Sequence, residues 1–153
     1  MNSRARKNPE IDPQFACFSL RIRRSGIHGR GVYSAASIPP RRKIIEYTGE
    51  RITPQQALAR HLRMLRSRRI SMFRLNRYWR IDAAVGGSGA EYINHSCDPN
   101  LTVRRLRGHI LLVSLRRIRR NEELTFDYGL HPKTTRMCCH CGAANCRGTL
   151  NRK

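Results

Sequence analysis

Ile93-Asn94-His95-Ser96-Cys97-Asp98-Pro99-Asn100 is the most informative run in the chain. Only Ile93 is an apolar side chain of the kind that fills a core, so the run reads poorly as a buried strand or helix. Asp98-Pro99-Asn100 is a turn signal, because proline presets φ and Asp and Asn bond to the local backbone. Cys97 is therefore placed at a turn. Remote partners for it are Cys139, Cys141 and Cys146, spaced Cys-x-Cys-x4-Cys. One cysteine and a distant group of three suggest a metal site that ties the chain's end to its middle.

Working outward, 153 residues suit one domain able to bury a core. No apolar run approaches the roughly 18–20 residues that span a bilayer, so no membrane association is expected. Residues 1–9 are basic but lack the apolar stretch of a signal peptide. An intracellular, soluble protein is expected, in the nucleus or on the chromosome if eukaryotic and in the cytoplasm if microbial. A reducing compartment favours metal ligation over disulfides. Lys plus Arg number 31 against 10 acids, a net charge of +21. Such a surface attracts phosphate polyanions by counterion release, so affinity for nucleic acid or nucleosomes is expected. Eight of the ten acids fall between residues 46 and 127. They could form a negative patch that receives a cationic substrate, or pair internally with arginines.

Residues 1–14 read as a flexible basic arm. Phe18, Leu20 and Ile22 alternate with polar residues, the period of a half-buried strand. Gly26, Gly29 and Gly31 fall within six residues and allow a tight turn or close approach to a ligand. Lys43 to Tyr47 is another strand. Thr53-Pro54-Gln55-Gln56 is a helix start, with Thr as N-cap, Pro at the first position and Gln three residues on. The helix runs over 53–66, with Leu58, Leu62 and Leu65 on one face. Short strands follow at Met72–Leu75 and Tyr78–Asp82. Leu101–Val103 and His109–Leu115 are strands joined by a turn at Arg107-Gly108, and Ile110–Val113 reads as buried on both faces. Many short strands and one helix give a mostly-β domain.

Four thiolates suit tetrahedral zinc, and four protein ligands would make the site structural. Cys97, Cys139, Cys141 and Cys146 are the candidate set. Cys138 is an adjacent competitor, and His140 and His95 are alternative donors. Cys17 reads as a buried structural thiol.

In this combination the chain resembles SET-domain protein lysine methyltransferases with a zinc-binding post-SET tail. The motifs occur in the family's order: Gly29-Arg30-Gly31-Val32-Tyr33, Glu46-Tyr47-Thr48-Gly49-Glu50, Ile81-Asp82-Ala83, the central stretch, Glu122 to Tyr128, and Cys139-His140-Cys141 with Cys146-Arg147-Gly148. The resemblance covers about Phe18 to Asn151. It implies a SET domain over 15–130 and a post-SET tail over 131–153. It also implies small curved sheets (a β-clip) and a C-terminal pseudoknot, in which the segment holding Tyr128 threads beneath a loop beside Asn94-His95. Threading is rare in proteins. The helix at 53–66 would belong to the variable insert that shapes the substrate groove.

The resemblance also implies roles. Gly29, Arg30 and Gly31, with Asn94 and His95, would hold S-adenosylmethionine. Tyr128 would be the catalytic tyrosine, and Tyr47 would line the lysine channel. Phe126 would occupy a position where Phe or Tyr affects the number of methyl groups added, here favouring di- or trimethylation. The substrate would be a basic chromatin-type protein, a histone or histone-like tail, and the protein a monomer. The alternative is a catalytically weak, zinc-stabilised chromatin or nucleic-acid binding module. Three positions depart from the family pattern: Glu91 where arginine is usual, Ser88 where asparagine is usual, and Ser71 near where many relatives place an active-site tyrosine.

Overall fold

The computed structural model describes residues 9–67 and 69–152. Three small antiparallel or mixed sheets build it. The first pairs β1 (Leu20–Arg24) with β2 (Arg30–Ser34). The largest contains β3 (Lys43–Glu46), β7 (Asn94–His95), β8 (Leu101–Leu106), β9 (His109–Ser114) and β10 (Thr125–Phe126), in the order β3-β9-β8-β10-β7. The third contains β4 (Glu50–Ile52), β5 (Met72–Arg74) and β6 (Arg80–Asp82), in the order β4-β6-β5.

The order of the large sheet contains a threading. β7 and β8 are consecutive strands of that sheet, yet β10 lies between them and runs parallel to both. Phe126 is opposite His95 on one side and Leu101 on the other. Residues 96–100 must therefore straddle the strand that leads into Tyr128. Asn100 holds the crossing: its side chain donates to Glu123 O at 2.8 Å and accepts from Thr125 N–H at 2.9 Å. The pseudoknot implied by the resemblance has this form.

The local expectations were sound where the signal was local. α1 spans Pro54–Ser67. Its capping box is closed on both sides: Gln56 N–H donates to Thr53 Oγ1 at 3.2 Å, and Thr53 N–H donates to Gln56 Oε1 at 2.8 Å. β8 and β9 meet in a two-residue turn with φ of 48° at Arg107 and 82° at Gly108, the left-handed pair of a type I′ hairpin.

Tertiary packing decided otherwise elsewhere. Leu58 and Leu62 of α1 are 75% and 64% exposed, so the helix turns its apolar stripe outward. It is held to the domain instead by Arg60, which pairs with Glu50 at 2.8 Å and Asp82 at 2.9 Å. In β9, Ile110 and Leu112 are buried, but Leu111 and Val113 are only half-buried, so one face rather than both is sealed. Residues 1–8 of the expected arm lie outside the described residues. Residues 9–14 are docked: Asp12 N–H donates to Ser88 O at 2.9 Å, and Ile11 packs on the core.

The core is aliphatic, with Val32, Ile38, Ile44, Ile45, Leu101, Ile110, Leu112, Ile118 and Leu124 fully or almost fully buried. Each such side chain stabilises the fold by about 1.5–3 kcal/mol relative to exposure. Among the described residues no helix is long and apolar enough to cross a membrane.

Candidate active site

The loop before β2, the β7 segment, the end of α1 and the cysteine tail line a half-open cavity of about 1250 Å³. Gly29, Arg30, Asn94, His95 and Tyr128 line it, so five of the sequence-predicted residues meet at one place. Gly31 lies just outside. A Cβ there would come within 2.2 Å of Glu123 Oε1, so this glycine admits a carboxylate rather than a cavity wall.

Asn94 and Glu123 shape the loop. The Asn94 amide nitrogen lies 2.9–3.1 Å from Glu123 Oε1, Ser25 Oγ, Arg30 O and His28 O. Glu123 also accepts from Ser25 Oγ–H at 2.7 Å and Tyr33 O–H at 2.8 Å. This hub pins residues 25–30 to the threaded strand. Sequence reasoning missed Ser25 and Glu123 as site-building residues. They are 98 positions apart; Ser25 lies in no motif, and Glu123 lies in the Glu122 to Tyr128 motif without a role assigned to it from sequence.

His95 faces three ways. Its Nδ1 accepts from Tyr128 N–H at 3.1 Å, which places the ring proton on Nε2, 3.3 Å from Cys97 Sγ. Burial lowers its pKa, against a raising influence from Asp127. The neutral ring thus bridges the tyrosine and a cysteine of the tail.

Tyr128 and Tyr47 belong to an aromatic row. Tyr47 meets Phe73 edge-on at 5.1 Å, Phe73 stacks on Phe126 at 5.7 Å, and Phe126 meets Tyr128 at 4.8 Å. Each phenol donates its proton to a backbone carbonyl, Tyr128 to Ile93 O at 2.9 Å and Tyr47 to Ser71 O at 2.8 Å. Burial pushes both phenols well above their ordinary pKa, so both stay protonated at neutral pH. Phe73 belongs to the site but was invisible in the sequence, where it reads as one apolar residue of a short strand.

The unusual positions find partners. Glu91 is half-buried with its side chain turned inward, accepts from Gly89 N–H at 2.8 Å and pairs with Arg69 at 3.6 Å; burial raises its pKa. Ser88 donates to Glu46 O at 2.6 Å. Ser71 Oγ donates to Asp82 Oδ1 at 3.0 Å. The acids between 46 and 127 are mostly engaged internally: Glu46 with His109, Glu50 and Asp82 with Arg60, Glu91 with Arg69, Glu122 with Arg116, and Asp127 with Arg147. Of the two readings of those acids, internal pairing is the one observed.

The sulfurs of Cys97, Cys139, Cys141 and Cys146 all lie within 4.8 Å of one another. Cys97 and Cys139 are 3.8 Å apart. Four sulfurs at about 2.3 Å from a tetrahedral ion are about 3.8 Å from each other, so the set could hold such an ion. Backbone N–H groups of Cys97, Arg147 and Gly148 point at the Cys141, Cys97 and Cys146 sulfurs at 3.3–3.4 Å, while burial pushes the Cys97 and Cys139 thiols up. Against the raising effect of burial, such bonds hold the Cys141 thiol down to about 6. Cys138, His140 and His95 lie outside the four-sulfur group, and Cys17 is exposed rather than buried.

Residues 29–129 match the SET domain family. The chain is 40% identical over 141 residues to the H3 lysine-4 specific histone-lysine N-methyltransferase of Emericella nidulans, covering 86% of this chain and 12% of that protein. It is 42% identical over 137 residues to the enzyme of the same description from Saccharomyces cerevisiae, covering 84% and 13%. It is 39% identical over 137 residues to human histone-lysine N-methyltransferase 2D, covering 85% and 2%. The crystal structure of KRYPTONITE in complex with mCHH DNA, H3(1-15) peptide and SAH superposes with a TM-score of 0.73 at 29% identity, covering 88% of this chain and 30% of that one. This chain belongs to the SET-domain family, and its mostly-β architecture is the SET fold. It spans about an eighth of the length of the fungal relatives.

Proposed function

We propose that the chain is a protein lysine N-methyltransferase that transfers methyl from S-adenosylmethionine to the ε-amine of a histone-tail lysine, with H3 lysine 4 as the first candidate. One observation carries this reading. Tyr128 lines the cavity and also ends the aromatic row, so a cofactor chamber and a lysine channel would meet at one phenol. The cavity exceeds the roughly 300–1,000 Å³ of common small-molecule sites, room for a cofactor and an inserted side chain.

S-adenosylmethionine would supply a methyl carbon for in-line attack by the neutral lysine amine, the N–C bond forming as the S–C bond breaks, with the thioether S-adenosylhomocysteine as leaving group and the proton of the new ammonium lost to solvent. Gly29, Arg30, Asn94 and His95 would hold it, with Gly31 setting the loop through Glu123. Lysine has a pKa of about 10.4, so reaching the neutral amine at pH 7 costs about 4–5 kcal/mol. The row Tyr47, Phe73, Phe126 and Tyr128 offers no carboxylate and disfavours the ammonium by desolvation. Because both phenols donate to carbonyls, their oxygens are left to accept from the amine N–H, which aims its lone pair. Phe126 adds no hydroxyl that could hold a water and restrict a methylated amine, which favours di- or trimethylation. Cys97, Cys139, Cys141 and Cys146 would hold a structural zinc that shapes the cavity wall.

The relatives are described as histone methyltransferases and the structural neighbour as bound to H3 peptide and DNA, which supports a chromatin substrate. Transfer of labelled methyl to histone H3, wild type beside Tyr128→Phe, tests the proposal. Absence of label with the wild type would leave a binding module instead.

A further inference from the structure

The basic charge is not spread evenly, and one part of it coincides with exposed aromatic rings. β5 is an edge strand, and its hairpin to β6 carries Arg77, Tyr78 and Trp79 at the tip. Tyr78 is 59% exposed and Trp79 40%. Arg77 lies over the Tyr78 ring, 4.5 Å from its centre. Arg74 and Arg80 face each other across the hairpin. Arg105, from the tip of β8, donates to Arg74 O at 2.9 Å and so caps the outer edge of β5. A second tie, Arg51 to Gly108 O at 2.8 Å, fixes the β8–β9 hairpin against the same sheet.

These arginines are not neutralised. Burial and the neighbouring Arg74 charge lower the pKa of both Arg80 and Arg105. Among the described residues none of Arg74, Arg77, Arg80 and Arg105 pairs with a carboxylate. The nearby acids Glu46, Glu50 and Asp82 are held by His109 and Arg60. The cluster thus retains like charges at close quarters on a hairpin whose tip exposes Tyr78 and Trp79, with Arg105 resting over Phe73, 5.3 Å from its ring centre, and none of Arg74, Arg77, Tyr78, Trp79, Arg80 and Arg105 lines the cavity.

We propose that the β5–β6 hairpin, with Arg74, Arg77, Tyr78, Trp79, Arg80 and Arg105, is a binding surface for single-stranded nucleic acid. Guanidinium groups take the phosphates, and unpaired bases stack on Tyr78 and Trp79. A duplex hides its base faces and would use only the arginines. Stacking on exposed rings beside a basic track is how strands are held without sequence readout. The inference does not depend on the methyltransferase reading, because its tests measure binding alone.

Trp79 is the chain's sole tryptophan, so its emission reports on this surface directly. Titrating the full chain with an oligothymidylate is expected to quench that emission in a saturable way. In anisotropy with labelled oligonucleotide, Trp79→Ala and Tyr78→Ala are each expected to weaken binding about tenfold. Arg77→Ala with Arg80→Ala is expected to reduce the salt slope by about 1.4 on a single strand. Circular dichroism melts check that each variant is folded. Binding that leaves Trp79 emission unchanged would overturn the proposal. So would unaltered affinity in both folded aromatic variants, equal affinity for duplex, or binding to anionic lipid vesicles with none to the oligonucleotide.

Discussion

Arg147 donates two hydrogen bonds of 2.9 Å to the Asp127 carboxylate, joining the cysteine tail to the residue before Tyr128. Arg147 follows Cys146, and its own N–H points at Cys97 Sγ. The tail and the threaded strand are therefore held by one bidentate pair and one cysteine cluster, side by side. Removing either is expected to disturb the cavity as well as the tail.

A chelator that strips the proposed zinc, or Cys97→Ser, is expected to lower the melting temperature and to weaken S-adenosylmethionine binding. Calorimetry on metal-loaded and chelated protein checks this. Asp127→Ala should act in the same direction, costing about 1.5–3 kcal/mol of stability through its charged hydrogen bonds. Unchanged cofactor affinity after metal loss would show that the tail does not shape the cavity.

Tyr128→Phe keeps the ring contacts to His95 and Phe126 but deletes the only hydroxyl shared by cavity and aromatic row. A fall of about 100-fold in kcat is expected, with little change in cofactor affinity. Single-turnover methyl transfer and equilibrium binding separate the two.

Phe126→Tyr is expected to shift the products from di- and trimethyl toward monomethyl lysine, while total methyl transfer persists. Mass spectrometry of the product peptide reads this. A wild type that forms only monomethyl lysine would contradict the role given to Phe126.

Asp82 is 1% exposed and joins α1, β6 and Ser71, whose carbonyl accepts a hydrogen bond from the Tyr47 hydroxyl. Burial alone would raise its pKa, but Arg60, the Ala84 N–H and Ser71 O–H together hold it below the ordinary value. A depressed folded pKa means the unfolded chain binds more protons. The Asp82 contribution is then full above the ordinary carboxylate range, near about pH 4, and is lost as pH falls through the folded value. Urea unfolding between pH 3 and pH 7 should show this slope, and Asp82→Asn should flatten it. Asp82→Ala is expected to cost about 3 kcal/mol at neutral pH.

The net charge of +21 should repel a free basic tail at long range and attract one carried on DNA. Methylation of a nucleosome is therefore expected to exceed that of the isolated H3 peptide at low salt, with the gap closing as salt rises. Equal, salt-independent rates on both would remove the electrostatic argument.

Much was legible because it depended on neighbours in the chain. Thr53 and Gln56 specify a helix start by bonds three residues apart, and Arg107-Gly108 specifies a hairpin by its own backbone. Cys97, Cys139, Cys141 and Cys146 were legible by element type, since few residues other than metal ligands are used in that pattern. Gly29, Arg30, Asn94, His95 and Tyr128 came through the family resemblance rather than through any physical signal in the spacing.

Only the tertiary structure decided that Ser25, Glu123 and Asn94 form one hub, that Phe73 completes the aromatic row, and that the acids pair inward. Leu58 and Leu62 make the same point from the other side. Their spacing marks a helix face, but whether that face meets a core depends on what packs beside it. The sequence by itself determined the Ile93–Asn100 turn and its cysteine. That β10 passes beneath this turn, putting Tyr128 against His95 and Asp127 against Arg147, was decided by pairings between segments 20 to 33 residues apart. Such pairings form because they bury shared surface and satisfy polar groups on both partners, and one strand read alone carries neither condition.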